Sequence, residues 1–427
     1  RRRDRLGGRS RGAAGARGVI TQGPGVDPST AASRPRSLYG AFDRFPSSKG
    51  AATHIAHAAG VLFDTYAGGH LFVLGDDLLP RFQEVHRATG PVQVFRSVWP
   101  HPSELARTQQ HARALAAHLA RHRHTLELVH IRDPWSAVPA TAHPERPWRT
   151  VFEVNGLPSI ELPVRYENVS AGTLDRVRAL EDHALAEADL YVTPSSVTRA
   201  LLQARGIPAK RIVCVPNGAE VPAVRPERPA EAPACYVLYF GAVQPWQGVG
   251  DALRAMARLT DLDVKLVIVS SVREKKCRYL ARMARRLGIA DRVVWRYELP
   301  RVEVARWVAH AVATVAPLTR SPRNVVQGCC PLKVLESMAQ GTPVVASDLP
   351  VVRDLMDHRV HGWLVPAERP AAMARGIRVL LDHPSLARTL GMAAQQRVRD
   401  HFTWERATQE LTMAYRQVQE MPRRTAS

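Results

Sequence analysis

The sequence predicts an α/β protein with two Rossmann-like domains, parallel sheets and a ligand cleft between the domains. Short apolar runs typical of buried strands alternate with longer amphipathic segments typical of helices, the pattern of parallel sheets covered on both faces. The alternation stops in residues 219–234, a proline-rich stretch without periodicity, and then restarts. A chain of 427 residues is long enough for two such domains.

The first series of elements covers residues 37–218, which we interpret as the N-terminal domain. Its predicted strands are 37–42, 71–74, 92–98, 126–131, 149–154, 190–193 and 212–215. Its predicted helices are 51–61, 103–122, 171–188 and 196–205.

The second series follows the linker 219–234 and covers residues 235–401. Its predicted strands are 236–240, 264–269, 293–295 and 313–316, and its predicted helices are 251–259, 273–287 and 301–309. Residues 402–420 are amphipathic and predict a last helix that returns toward the N-terminal domain.

The chain is strongly basic, with a net charge of +20. Residues 1–36 are rich in Arg and poor in large apolar side chains, so we expect a disordered basic arm there. A basic surface favours anionic partners, and peripheral contact with an anionic membrane is one expectation. Nucleic acid is not expected, because the sequence has no zinc finger, helix-turn-helix or basic stripe interleaved with aromatic residues.

Composition predicts a cytoplasmic protein that is at most peripheral to the inner face of the membrane. No apolar run approaches the roughly 18 residues needed to span a bilayer, and no signal-peptide pattern is present. The five cysteines have no metal-ligand spacing and fit reduced thiols.

The block from Cys329 to Asp348 has the strongest functional signal. Pro331 suits the first position of a helix, Gly341 suits its C-terminal cap, and an apolar strand follows. Lys333 opposes the helix dipole, but it faces the place where free N–H groups hold an anion. Glu336, one turn deeper, can accept hydrogen bonds from sugar hydroxyls. These features indicate a nucleotide site, and an amphipathic helix with a solvated polar face is the alternative.

Further candidates follow the predicted strands of the N-terminal domain, at the edge of the sheet where ligands bind. Asp133, together with Arg132, has either a role in the cleft or a role in capping a loop. Glu153 precedes Asn155 in a loop that we assign to the cleft, and we expect Glu153 to contact the acceptor side. We interpret His54 as a packed or surface histidine.

Six motifs occur in a fixed order along residues 37–420. They are Tyr39–Gly50, Val192–Ser195 with Val215–Gly218, Tyr239–Gly241 with Gly248, Pro331–Asp348, His361–Pro366 and Phe402–Glu405. In this order they resemble glycosyltransferase family 4, whose members have the GT-B fold of two Rossmann-like domains facing across a cleft, with a C-terminal crossover helix.

The resemblance implies transfer of a sugar from a nucleotide diphosphate sugar to a glycan, lipid-linked or small-molecule acceptor. It implies retention of configuration at the anomeric carbon. The nucleotide sugar is then a co-substrate, and neither a cofactor nor a metal ion is expected.

Site residues are also implied by the resemblance, residue by residue. Glu336 would bind the ribose hydroxyls, and the backbone of Pro331, Leu332 and Lys333 would hold the phosphates. Tyr297 and Glu298 would lie against the base. The remaining candidates are Gly241 and Gly248 in the first turn of the C-terminal domain, and Lys49 and Gly50 facing the diphosphate or acceptor.

Four positions depart from the usual family pattern. Ala242 and Gln247 stand where an Arg and a Lys are common, and Gly328 stands where the first of two Glu is common. Asn155 takes the catalytic position of a His. Lys333 therefore becomes the first candidate for the diphosphate charge, followed by Lys49, Arg44 and Arg323. A non-catalytic scaffold for polysaccharide assembly and a nucleotide-sugar epimerase remain alternatives.

Overall fold

The structure is a computed structural model, and it describes residues 35–422 apart from 48–49, 102, 144 and 167. Nearly all of the predicted basic arm, residues 1–34, and the candidate Lys49 therefore lie outside the described residues. Within the described part of the chain, no helix is both long and apolar enough to cross a membrane.

The N-terminal half is built on an eight-stranded sheet. Its strands are β1 (Ser37–Arg44), β2 (Gly69–Leu74), β3 (Phe82–Arg87), β4 (Gly90–Ser97), β5 (Leu128–Ile131), β6 (Arg149–Glu153), β7 (Leu190–Thr193) and β8 (Ile212–Cys214). They lie in the order β3-β4-β2-β1-β5-β6-β7-β8. Neighbouring strands are parallel, as predicted, except that the edge strand β3 pairs antiparallel with β4.

Strand β3 was missed because it lacks an apolar face. Five of its six residues are exposed, so neither side of the strand is buried. Such a polar strand at the sheet edge protects the sheet against pairing with other chains, but it carries no hydrophobic signal.

Six helices cover the faces of this sheet. They are α1 (Gly50–Thr65), α2 (Glu104–Arg121), α3 (Pro134–Thr141), α4 (Pro158–Arg165), α5 (Ala171–Glu187) and α6 (Ser196–Ala204). Helices α3 and α4 are not expected from the sequence, because each begins with Pro and holds a second Pro inside, at Pro139 and Pro163. Proline indicates a helix break in general, whereas it is tolerated in the first turn.

The C-terminal half is built on a six-stranded parallel sheet. Its strands are β9 (Tyr236–Gly241), β10 (Lys265–Ser270), β11 (Val293–Tyr297), β12 (Ala313–Ala316), β13 (Val344–Ser347) and β14 (Trp363–Val365), in the order β11-β10-β9-β12-β13-β14. The helices are α7 (Val249–Met256), α8 (Glu274–Arg286), α9 (Arg301–His310), α10 (Leu332–Ala339), α11 (Pro350–Arg353), α12 (Pro370–Asp382) and α13 (Pro384–His401).

The last helix, α14 (Trp404–Glu420), returns to the N-terminal half as predicted. Its buried side chains join the core formed by α1 and the first sheet; they are Leu411, Ala414, Tyr415 and Val418. Trp404 stacks on His57 of α1 with ring centroids 3.8 Å apart. The Thr403 side chain accepts the N–H of Arg406 and caps the helix at its start.

Candidate active site

A cleft of about 1580 Å³ is lined by residues of both halves. Several of them directly follow parallel strands: Arg132 follows β5 and Asn155 comes shortly after β6, while Gly241 ends β9 and Ser271 follows β10. The carboxyl ends of both sheets therefore open into one cavity, where ligands bind in folds of this kind.

Two helices begin at this cleft, α1 at Gly50 and α10 at Leu332. They are close, because a Cβ atom added to Gly50 would lie 2.9 Å from Cδ1 of Leu332. The first N–H groups of a helix have no acceptor within the helix, and the helix dipole places partial positive charge there. Two such ends beside one cavity favour an anionic ligand.

Helix α10 has nearly the limits that the sequence predicts. Pro331, predicted as the first helical residue, is the N-cap with ψ 97°, so the helix begins one position later, at Leu332. Gly341 follows the cap residue Gln340 and has φ +69°, which confirms the predicted glycine end.

Lys333 reaches from α10 across the start of the C-terminal domain. Its Nζ donates to Tyr239 Oη at 2.9 Å and to Gln247 Oε1 at 2.5 Å. Burial lowers the pKa of Lys333 from 10.5 to about 7. The ammonium group thus occupies the neighbourhood of Gln247, one of the positions where the family commonly has a cation.

Glu336 lies one turn further along α10 and also lines the cleft. Its Oε1 is 3.4 Å from a guanidinium nitrogen of Arg301 at the start of α9. Burial raises the pKa of the Glu336 carboxyl, and the charges of Arg301 and Lys333 oppose this shift. The carboxylate has further lone pairs that can accept hydroxyl hydrogen bonds.

Glu153 is the centre of a buried polar cluster below the cleft. It is 2% exposed, with Oε1 2.5 Å from His54 Nε2 and Oε2 3.1 Å from His130 Nε2. Burial alone would raise the pKa of Glu153, but His54 and His130 hold it well below the usual value. Glu153 does not line the cleft, contrary to the expected acceptor-side contact, because it is buried behind His54, which does line it.

His54 lines the cleft, although the sequence suggested a packed or surface histidine. Its Nδ1 lies 2.6 Å from Oδ1 of Asn217, and Asn217 donates to the carbonyl of Cys330 at 3.0 Å. The imidazole is therefore held between Glu153 and Asn217, and Asn217 connects it to the loop that precedes α10. The sequence does contain a signal for this role, because His54 lies one turn after the loop that ends at Gly50.

Asn155 lines the cleft and donates its side-chain amide to Glu153. It thereby joins His54 on the wall formed by the N-terminal half.

Arg132 lines the cleft, whereas Asp133 does not. The Asp133 carboxylate accepts the N–H of Ser136 at 2.9 Å, which caps α3, and the N–H of Phe42 at 2.6 Å. Burial raises the pKa of Asp133 to about 6. Of the two alternatives for Asp133, capping is the one found, because its oxygens are used by backbone donors.

Three other predicted ligand-binding residues lie outside the cleft lining. Gly248 has φ +65° and begins α7, and a Cβ atom there would lie 1.8 Å from the carbonyl oxygen of Pro317. Tyr297 stacks on Trp295, and Glu298 pairs with Arg273 at 3.4 Å. Gly248 is therefore needed for close backbone packing.

The alternative cations are engaged in different ways. Arg323 lines the cleft, pairs with Glu161 at 2.7 Å and donates to the carbonyl of Gly328 at 2.7 Å. Arg44 pairs with Asp76 and does not line the cleft. Among the described candidates, Lys333 and Arg323 are those that reach the cavity.

Two facing parallel α/β domains, a cleft at the carboxyl ends of their strands and a helix that crosses back define the GT-B class. Residues 48–221 match the family model described as Glycosyltransferase Family 4, and residues 234–383 match the model described as Glycosyl transferases group 1. Together these models cover most of the chain, which belongs to glycosyltransferase family 4.

Solved structures agree with this fold. Sucrose-phosphate synthase from Thermosynechococcus elongatus superposes with a TM-score of 0.73 and 21% identity, over 90% of this chain and 99% of that chain. HepE from Anabaena in complex with UDP-glucose has a TM-score of 0.67 and 17% identity, over 89% and 99% of the two chains. At these identities the likeness concerns the fold.

Sequence relatives are named for sugar transfer. The D-inositol 3-phosphate glycosyltransferase of Acidothermus cellulolyticus is 30% identical over 254 residues, 55% of each protein. The glycogen synthase of Mycobacterium tuberculosis strain H37Rv is 25% identical over 297 residues, 68% of each. The chain spans 40–61% of the length of the first four inositol-phosphate glycosyltransferases it matches.

Proposed function

We propose that the protein is a retaining glycosyltransferase that uses a nucleoside diphosphate sugar as donor. The observation that carries the proposal is the half-buried Lys333 ammonium beside the N-termini of two helices, with Glu336 one turn deeper. A cation and free N–H groups suit a diphosphate, and a carboxylate beside them suits a ribose. Family membership supports the same reading.

In this proposal each part of the donor meets a defined group. The N–H groups at the start of α10 and Lys333 Nζ hold the diphosphate, and Glu336 accepts hydrogen bonds from the ribose hydroxyls. Ser271 and Val272, which follow β10 and line the cleft, are placed beside the base in the position first assigned to Tyr297 and Glu298.

Transfer breaks the bond between the anomeric carbon and the β-phosphate oxygen. That oxygen gains negative charge, which Lys333 and the two helix ends are arranged to stabilise. The acceptor hydroxyl forms the new bond on the same face, and its proton passes to the departing phosphate. No protein base, metal ion or cofactor is assigned a step, because the leaving group takes the proton and side chains supply the positive charge.

The acceptor side of the proposal is the wall formed by the N-terminal half, with His54, Arg132 and Asn155. Relatives are named for an inositol phosphate and for glycogen, so a hydroxyl of a glycan, a lipid-linked sugar or a small polyol is the acceptor class. A cytoplasmic location is part of the proposal. The net charge of +20 favours peripheral contact with anionic lipid, which co-sedimentation with anionic vesicles tests.

A thermal-shift screen with UDP, GDP, ADP and their sugars tests donor binding. We expect one nucleotide to stabilise the protein, by about 2.7 kcal/mol at a concentration of 100 times Kd. Glu336→Ala should lose most of this shift. Glu410→Ala is the matched control: Glu410 also pairs with an Arg and is also 30% exposed, but it lies on α14 outside the cleft lining. No stabilisation by any nucleotide would contradict the proposal.

Product analysis separates the remaining alternatives. A transferase releases the nucleoside diphosphate and forms a glycoside, whose NMR coupling constants report whether the donor configuration is retained. An inverted product would refute the retaining mechanism alone. Epimerised donor without nucleotide release would indicate an epimerase, and bound but unchanged donor would indicate a scaffold.

A further inference from the structure

Three histidines meet in the N-terminal half, away from the cleft. His70 is the second residue of β2, and His118 and His122 lie one turn apart at the end of α2. One ring nitrogen from each lies within 4.8 Å of the others. His70 is at the amino end of a parallel strand, whereas the cleft is at the carboxyl ends, so this cluster is separate from the donor site.

The rings are arranged as ligands of one small ion would be. His70 Nδ1 is 2.8 Å from His118 Nε2, and the three pairs of ring centroids are 4.6–4.9 Å apart. Imidazole nitrogens bind zinc at about 2.0–2.1 Å in tetrahedral geometry, which puts two of them about 3.3 Å apart. Binding one zinc ion would bring the three nitrogen–nitrogen distances, which are at most 4.8 Å in the structure, to about 3.3 Å.

A polar neighbour orients one of the three rings. Gln93, which pairs with His70 across the strands, hydrogen-bonds to His70 and can fix its ring, as outer partners of ligand histidines do.

Packing alone is a weak explanation for this cluster. His70 and His118 are 2% and 8% exposed, and Phe95 packs against the rings of both. The 2.8 Å contact between His70 Nδ1 and His118 Nε2 gives one ring nitrogen of each residue a partner, but it does not include His122. A shared ion would engage one nitrogen of each of the three rings, and these nitrogens lie within 4.8 Å of one another.

We propose that His70, His118 and His122 bind one divalent transition-metal ion, with zinc as the first candidate. Three imidazoles suit zinc, nickel or copper, whereas magnesium and calcium prefer oxygen ligands. His122 is half-buried and gives the ion its access from solvent, and the fourth position is left for water. The ion ties the last turn of α2 to β2, so it stabilises the folded N-terminal half.

The test uses the full chain without an affinity tag, first treated with a chelator. Zinc chloride and nickel chloride are titrated by calorimetry and by thermal unfolding, with magnesium chloride as the control ion. We expect one equivalent of zinc to bind and to raise the unfolding temperature. His122→Gln should weaken zinc binding by more than about tenfold. His124→Gln, two residues further along and exposed, should leave it unchanged.

Two results would overturn the site: no stoichiometric zinc binding by the wild-type chain, or equal binding by His122→Gln. His122 is the least buried of the three, so its replacement is the safest for folding, and circular dichroism verifies the fold of the variant. The absorption spectrum of bound cobalt gives a second readout, since loss of a nitrogen ligand changes it even where affinity is partly kept. An unchanged cobalt spectrum in His122→Gln would equally refute the assignment.

Discussion

Lys333 places a half-buried ammonium group beside two neutral oxygens. Its hydrogen-bond partners are a tyrosine hydroxyl and an amide oxygen, at 2.9 Å and 2.5 Å, and not a carboxylate. Burial without a paired anion lowers its pKa to about 7, because the charged form loses hydration. The site therefore favours an anionic ligand.

This pKa makes donor binding depend on pH. A bound diphosphate raises the pKa of Lys333, so the affinity gained from its charge is complete below about pH 7 and is lost as the pH rises above it. Calorimetry with an intact nucleotide sugar is the suitable measurement, since its diphosphate diester does not titrate between about pH 6 and 9.

Lys333→Met isolates this effect. It should weaken binding at about pH 6 by about 1.5–3 kcal/mol, or roughly 10- to 150-fold, and should flatten the pH dependence. Lys333→Arg keeps a charge that does not titrate in this range. An identical pH profile in wild type and Lys333→Met would exclude Lys333 as the titrating group.

At the scale of elements, the first turn of the C-terminal domain depends on one glycine. Gly248 begins α7 in the left-handed region, at φ +65°, directly against the backbone of Pro317. The motif was found in the sequence as a candidate ligand contact. Its required geometry comes from packing between two loops, which local sequence does not encode.

Replacement of Gly248 by Ala should destabilise the domain strongly. Gly288→Ala is the matched control, because Gly288 has φ +69° and open space at its Cβ position. The control should cost about 1–2 kcal/mol from backbone strain alone. Gly248→Ala should cost clearly more in urea unfolding, because a Cβ atom would lie 1.8 Å from the Pro317 oxygen. An equal loss of unfolding free energy in both variants would show that the loops around Gly248 and Pro317 can move apart at no cost.

Element prediction succeeded where a helix or strand has its own apolar pattern. Strands Leu190–Thr193 and Ala313–Ala316 have the predicted limits, because each is a short, mostly apolar buried run that is followed directly by a proline. The edge strand β3 and the proline-containing α3 and α4 lack such a pattern. Their structure is imposed by neighbouring elements.

Across the whole molecule, a chain of polar contacts joins α14 to the start of α10. Tyr415 Oη is 2.8 Å from His130 Nδ1, and His130 and His54 both contact Glu153. Asn217 continues the chain from His54 to the carbonyl of Cys330. The crossover helix is therefore connected through buried groups to the wall of the cleft.

Removal of the Tyr415 hydroxyl tests how much this connection stabilises the protein. Tyr415→Phe leaves a buried His130 nitrogen without its partner, which should cost about 1–3 kcal/mol in urea unfolding. Tyr66→Phe is the control on the same helix interface, since its partner Gln419 is exposed and can turn to water. A similar small loss in both variants would mean that the buried contact adds little.

The sequence by itself determined the two α/β domains, the returning helix and the helix with Lys333 and Glu336, because apolar periodicity and glycine ends are local properties. The roles of these two side chains stay predictions. Only the tertiary structure decided that His54 lines the cleft and contacts Glu153, that Asp133 caps a helix, and that three histidines lie together. These contacts join residues far apart in sequence, and their geometry depends on how the sheets and helices pack.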